Sequence, residues 1–144
     1  MRQLFLLIAI VLISLMGCVK PGTKSPVPID GKWRMVTVAD NASGSTIIKP
    51  ASITGDVDIT FIATTPTSGS FTGNTPTNQI SQNAYTIDDN QSLSIPALNM
   101  TKIAETSWGD AFVVSILDAQ SYSFSTDGKL NINTGRKTLI FIKL

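Results

Sequence analysis

The stretch from Ser121 to Leu144, "SYSFSTDGKLNINTGRKTLIFIKL", closes the chain and decides its fold class. Three strand-like segments, Ser121–Ser125, Leu130–Asn133 and Lys137–Leu144, are separated by Thr126-Asp127-Gly128 and Thr134-Gly135-Arg136. Short turns containing glycine between such segments predict two successive hairpins. The last segment, TLIFIKL, is apolar on both faces, which predicts a central strand covered on each side. An antiparallel β domain is therefore the starting point.

Working towards the N-terminus, Ser107-Trp108-Gly109-Asp110 offers a hydroxyl cap with an acidic residue three positions later, a variant of the capping box. Trp108, Phe112, Val113, Ile116 and Leu117 then recur at helical spacing and give one broad apolar face. Ala84–Ile87 and Ser92–Ile95 flank the turn formers Asp88-Asp89-Asn90-Gln91, a hairpin signature. Asn74–Asn83 has one apolar residue in ten and reads as a long loop. Ser68–Gly73 reads as a short partner strand. In Gly55–Ala63, Val57, Ile59 and Phe61 alternate with Asp56, Asp58 and Thr60, the pattern of a half-buried strand. Thr46–Ile48 is a brief apolar stretch stopped by Pro50. The first strand enters at Asp30-Gly31, with Trp33, Met35 and Thr37 on one face and Arg34, Val36 and Val38 on the other. The expected fold is mainly β (α+β): a curved antiparallel sheet, or cracked barrel, with one packed helix.

The N-terminus carries an address. Met1-Arg2-Gln3 precedes an apolar run from Leu4 to Met16 in which Ser14 is the only polar residue. A basic start, a short apolar run and a small-residue exit describe an export signal. A spanning helix needs about 20 apolar residues, so the run is short for a permanent anchor. Leu15-Met16-Gly17-Cys18 resembles the lipobox of bacterial lipoproteins. That resemblance implies cleavage between Gly17 and Cys18 and acylation of the Cys18 sulfur. Cys18 is the only cysteine, so its thiol has no disulfide partner within the chain. Each buried methylene contributes about 0.8 kcal/mol, and stable anchoring takes more than one acyl chain, as a lipoprotein cysteine carries. Val19–Pro28, with three prolines and a glycine, reads as a linker. The expected organisation is a signal peptide over 1–17, a lipid-anchored linker over 18–28 and one domain over 29–144. In lipoproteins of the Bacteroidetes type, an acidic cluster after the cysteine would imply display on the cell exterior. None follows Cys18, so the resemblance implies the periplasmic side of the outer membrane.

The chemistry is defined mostly by exclusion. The chain has no histidine, so His-based triads and the usual zinc sites are ruled out, and neither a metal nor a cofactor is expected. Eleven basic and ten acidic side chains give a net charge of +1, without the electrostatic footprint that nucleic acid requires. Asp56 and Asp58 would lie about 6–7 Å apart on one strand face. They read as a solvated face rather than a glycosidase pair, which draws its acids from different elements around a cleft. Asp88-Asp89 reads as turn chemistry. Trp33, Tyr85 and Trp108 read first as core rings. Tyr85 and Trp108, with the basic Lys102, are nonetheless the candidates for a ligand or contact surface. Arg136 is a second exposed basic residue.

Across Ile29–Leu144 the chain resembles the META domain of HslJ-type lipoproteins. Asn78 and Tyr85 match that family's Asn and aromatic strand positions. Thr101-Lys102-Ile103 matches its Thr-basic-Met triplet, and Ser121-Tyr122 the pair after the helix. Thr77 and Glu105 stand where the family often has cysteines, so no disulfide or redox role carries over. The resemblance implies a non-enzymatic envelope lipoprotein, acting in stress protection through contacts with an envelope protein. The alternative it leaves open is a lipocalin-like carrier of an apolar ligand.

Overall fold

The computed structural model describes residues 25–144. The signal segment, the Gly17–Cys18 cleavage site and the linker up to residue 24 lie outside the described residues. Nine strands run in chain order as β1 (Gly31–Asp40), β2 (Thr46–Ile48), β3 (Asp58–Thr65), β4 (Ser68–Asn74), β5 (Gln79–Ile87), β6 (Leu93–Ser94), β7 (Ser121–Phe124), β8 (Leu130–Asn133) and β9 (Lys137–Lys143). One helix, α1 (Ser107–Ile116), lies between β6 and β7.

All strand pairings are antiparallel, in the order β6-β5-β4-β3-β1-β9-β8-β7, with β2 attached to β1 beside β3. The two ends of this sheet nearly meet. Ser92 bridges Ser121, the Leu93 N–H donates to the Gln120 carbonyl at 3.0 Å, and the Tyr122 N–H donates to the Gln91 carbonyl at 2.9 Å. The result is a barrel with an unsealed seam, as the alternating patterns and tight turns lead one to expect.

The C-terminal reading holds in its main lines. β9 lies between β1 and β8, and both hairpin turns carry a glycine at positive φ, Gly128 at 78° and Gly135 at 79°. The expected cover on both faces of β9 is not complete. Leu139 and Phe141 are fully buried, whereas Ile140 and Ile142 on the outer face are only half-buried.

Three expectations are corrected, the first two by irregular registers. First, Asn74–Asn83 is not a long loop: β4 runs to Asn74, β5 begins at Gln79, and only a tight turn separates them. Between paired positions Phe71–Asn83 and Gly73–Ile80, β5 carries one extra residue, a β-bulge. Ile80 and the polar Asn83 both point inwards while Gln79, Ser81 and Gln82 face out, so the alternation legible from Asn83 to Ile87 does not run back to Gln79. Second, a bulge between Met35 and Thr37 makes Val38, not Thr37, the next inward residue of β1 after Met35. Third, the helix cap is Thr106 rather than Ser107. The Thr106 hydroxyl accepts from the Gly109 N–H at 3.2 Å, and the Thr106 N–H donates to Glu105 Oε1 at 2.9 Å. Along the helix, Trp108, Phe112 and Ile116 are buried as expected, but Leu117, expected on the same face, is 48% exposed.

Those three helical side chains join the inward residues of the strands in one core, where Ile59, Phe71, Leu130, Leu139 and Phe141 have no exposed surface. Phe61 stands edge-on to Tyr85 at 5.1 Å between ring centroids and tilted against Phe71 at 5.5 Å, geometries that aromatic pairs favour. The end of the linker is fastened to this core. Ile29 is fully buried, the Trp33 Nε1–H donates to the Ile29 carbonyl at 2.8 Å, and the Tyr122 hydroxyl donates to the Val27 carbonyl at 2.6 Å.

Candidate functional site

The acidic pair expected on a solvated strand face takes another form. Asp58 sits across from Arg34 in the β1–β3 register and is only 6% exposed. Arg34 donates from Nε to Asp58 Oδ1 at 2.7 Å and from Nη2 to Oδ2 at 2.9 Å, and its Nη1 lies 3.2 Å from Asp56. Lys49 pairs with Asp56 at 2.5 Å. The guanidinium beside Asp58 holds its carboxyl below the usual 3.8 despite burial. Two carboxylates saturated by cations form a strut between strands and a neighbouring loop. A carboxylate whose charged form is favoured by a guanidinium, as that of Asp58 is, is poorly suited to acid–base work.

Tyr85 and Trp108 lie in the core, each 1% exposed. Burial pushes the Tyr85 phenol up to about 12, with Asp30 and Tyr122 adding to the shift. Tyr85 borders a cleft of about 270 Å3 beside Pro26, Pro28 and Pro66. Among the described residues, Trp108 Nε1 is buried without a hydrogen-bond partner. Arg136 is exposed beside a shallow polar cleft at the end of α1, with Asp118 and Thr134. Asp88 is a turn residue as expected, its Oδ1 accepting from the Asn90 and Ser92 N–H groups at 2.9 and 2.8 Å.

Lys102 is in a different setting. It lines an open groove of about 320 Å3 between the extended segment Leu98–Ile103 and α1, with Leu98 and Met100 on one wall and Val113 and Leu117 on the other. Two buried asparagines of the bulged β4–β5 region build this groove. Asn83 Oδ1 accepts from the Asn99 N–H at 2.6 Å and Asn83 Nδ2 donates to the Asn99 carbonyl at 3.3 Å. Asn78 does the same for Ile103, accepting from its N–H at 2.7 Å and donating to its carbonyl at 2.9 Å. Each carboxamide imitates a peptide group and so pins the segment as a neighbouring strand would. Between the clamps, the Ser81 N–H donates to the Asn99 carbonyl at 2.9 Å and the Thr101 N–H to the Gln79 carbonyl at 3.0 Å.

Glu105 closes one end of the groove. Its Oε2 accepts from Asn78 Nδ2 at 2.9 Å and from the Thr75 hydroxyl, and its Oε1 accepts from the Thr106 N–H. Burial pushes this carboxyl up, but the donors from Thr75, Asn78, Thr106 and Thr77 outweigh it and leave it below the usual 4.5. Glu105 therefore anchors the start of the helix as an ionised, fully engaged group. Among the described residues no cluster of His, Cys, Asp or Glu could hold a metal ion, and no helix is long and apolar enough to cross a membrane.

Sequence reasoning found Lys102 and the helical residues Val113 and Leu117 but not the groove they share. Leu98 and Met100 were unassigned, because a segment joined to its neighbour by two backbone bonds and two asparagine side chains has no periodic signature. The one signal was Asn78, an amide in an otherwise polar stretch that proves to be 4% exposed.

No family model and no curated protein matches this chain. Among solved structures it is similar to one titled "NMR structure of the protein from Burkholderia xenovorans", with a TM-score of 0.58 and 18% identity, over 87% of this chain and 97% of that one. At that identity the likeness is one of fold alone.

Proposed function

We propose that the chain is a non-enzymatic cell-envelope lipoprotein of the META/HslJ type, held by acyl chains on Cys18 in the outer membrane facing the periplasm. In this reading it serves envelope stress protection by contacting another protein. The observation that carries the contact role is the filled interior: Trp108, Phe112 and Ile116 are at most 1% exposed among the inward strand residues. A barrel whose interior is occupied by its own side chains leaves recognition to its surface. The tether reading draws support from the Leu15–Cys18 motif behind an apolar signal. Membership in the family draws support from the meeting of Asn78 with Thr101 and Ile103, since Asn78 Oδ1 accepts from both.

The test of the tether is fractionation with labelled palmitate. The wild-type chain pellets with membranes and incorporates label, and Cys18→Ser does neither while remaining folded. Globomycin, which blocks the lipoprotein signal peptidase, leads to accumulation of uncleaved precursor. Mature chain of unchanged size under the drug refutes the assignment. For the contact role, native mass spectrometry of purified protein showing a stoichiometric apolar ligand would instead favour a lipocalin-like carrier.

A further inference from the structure

Met100 and Ile80 form an isolated antiparallel pair, and the hydrogen bonds of Asn99 and Thr101 flank that pair rather than join it. In this arrangement the paired residue directs its own N–H and C=O away from the partner strand. The alternation continues on either side. Asn99, Thr101 and Ile103 direct their backbone groups towards β5 and its asparagine clamps. Among the described residues, the backbone N–H and C=O groups of Leu98, Met100 and Lys102 have no hydrogen-bond partner. They face the side away from β5, where the groove against α1 lies.

We infer that Leu98–Lys102 is an open β edge that receives an extended segment of a partner protein as an added strand, seated between this edge and α1. Three features define that segment. Its backbone is extended, because donors and acceptors that alternate along an open edge are matched in register by another strand, which replaces the water on them. Its side chains facing the groove are apolar, to cover Met100, Val113 and the exposed Leu117. It carries a carboxylate beside Lys102, the one basic residue lining the groove, which has no acidic partner among the described residues. Glu105 does not compete for that role, since its oxygens are held by Thr75, Asn78 and Thr106. The other exposed edge, β2, is guarded by contrast: it is three residues long and is followed by Lys49 and Pro50. This inference rests on the protein-contact reading above and names the chemistry of the partner.

The test uses the full chain in detergent micelles and a panel of acetylated, amidated seven-residue peptides. Valine and threonine alternate in each, with one glutamate placed at each position in turn. The expected result is saturable binding of at least one peptide, with amide exchange at Met100 and Lys102 slowed about ten-fold or more as strand hydrogen bonds form. N-methylation of the peptide amides that face the edge abolishes binding. Lys102→Ala weakens it about two- to five-fold, the range of an exposed ion pair. Lys102→Pro abolishes it with unchanged thermal stability, because that N–H makes no internal bond and the side chain is exposed. The inference is overturned if no peptide protects these two amides, if protection appears along β2 instead, or if Lys102→Pro binds like wild type. A fatty acid occupying the groove without protecting the amides overturns it too. Palmitate labelling and fractionation report on the tether, so failure of that reading is separate from failure here.

Discussion

Replacing Asn78 by alanine tests the clamp on which the groove depends. Its carboxamide makes two bonds to the Ile103 backbone, one to the Thr101 hydroxyl at 3.0 Å and one to the Glu105 carboxylate at 2.9 Å. Ile103 is 62% exposed, so its freed backbone groups find water, and each lost bond costs about 0.5–1 kcal/mol, at the low end of the usual range. The bond to the ionised Glu105 contributes about 1.5 kcal/mol, and the Thr101 hydroxyl turns to solvent at little cost. Asn78→Ala should therefore lose about 2–4 kcal/mol in urea unfolding. That corresponds to roughly 8–16 °C in Tm for a domain of this size. Amide exchange should accelerate first across 98–105. Asn78→Asp supplies the control, because it keeps the shape but sets a second carboxylate against Glu105 and removes the donors. At neutral pH it should cost more than Asn78→Ala, with the gap narrowing as the pH falls through the carboxylate range. A loss below about 1 kcal/mol for Asn78→Ala, or equal losses for the two variants at neutral pH, would refute the reasoning.

Further outcomes follow from other contacts. Asp58 and Glu105 both have folded-state pKa values below their ordinary ones, so each contributes stability that is present above pH 4–5 and lost as the pH falls through the depressed values. Urea titrations between pH 7 and pH 2 should show that loss, and Asp58→Asn and Glu105→Gln should each remove part of it. Arg34→Ala leaves the nearly buried Asp58 without its two-pronged partner and should cost about 1–2 kcal/mol by chemical denaturation, discounted for the exposure of Arg34. Gly69→Ala would set a Cβ 2.2 Å from the Ile62 carbonyl oxygen and 2.7 Å from the Tyr85 hydroxyl, and should lower stability by about 3 kcal/mol or prevent folding, as seen by circular dichroism. Trp33→Phe should cost about 1 kcal/mol more than Trp108→Phe, because Trp33 Nε1 donates to Ile29 whereas Trp108 Nε1 has no partner. Equal losses in thermal melts would count against that difference.

Several elements were legible before any coordinates. Turn chemistry at Asp88–Gln91, Thr126–Gly128 and Thr134–Arg136 marked three hairpins, and all three occur where expected. The helical spacing of Trp108, Phe112 and Ile116 marked the single helix and the face it buries. Bulges defeated the same approach in β1 and β5, because one inserted residue exchanges inward and outward positions for the rest of a strand. The burial of Asp58 was equally hidden, since an aspartate alternating with apolar residues looks solvated until Arg34 is placed across from it.

From its own pattern the chain determined a β domain with one helix, because period-two alternation, tight-turn residues and helical spacing are local properties of neighbouring side chains. Only the tertiary structure decided that Asn78 and Asn83 meet residues 99–103, twenty or so positions away, and leave alternate backbone groups facing a groove. That outcome depends on bonds between distant segments, and a carboxamide's choice of backbone partner leaves no periodic trace in the order of residues.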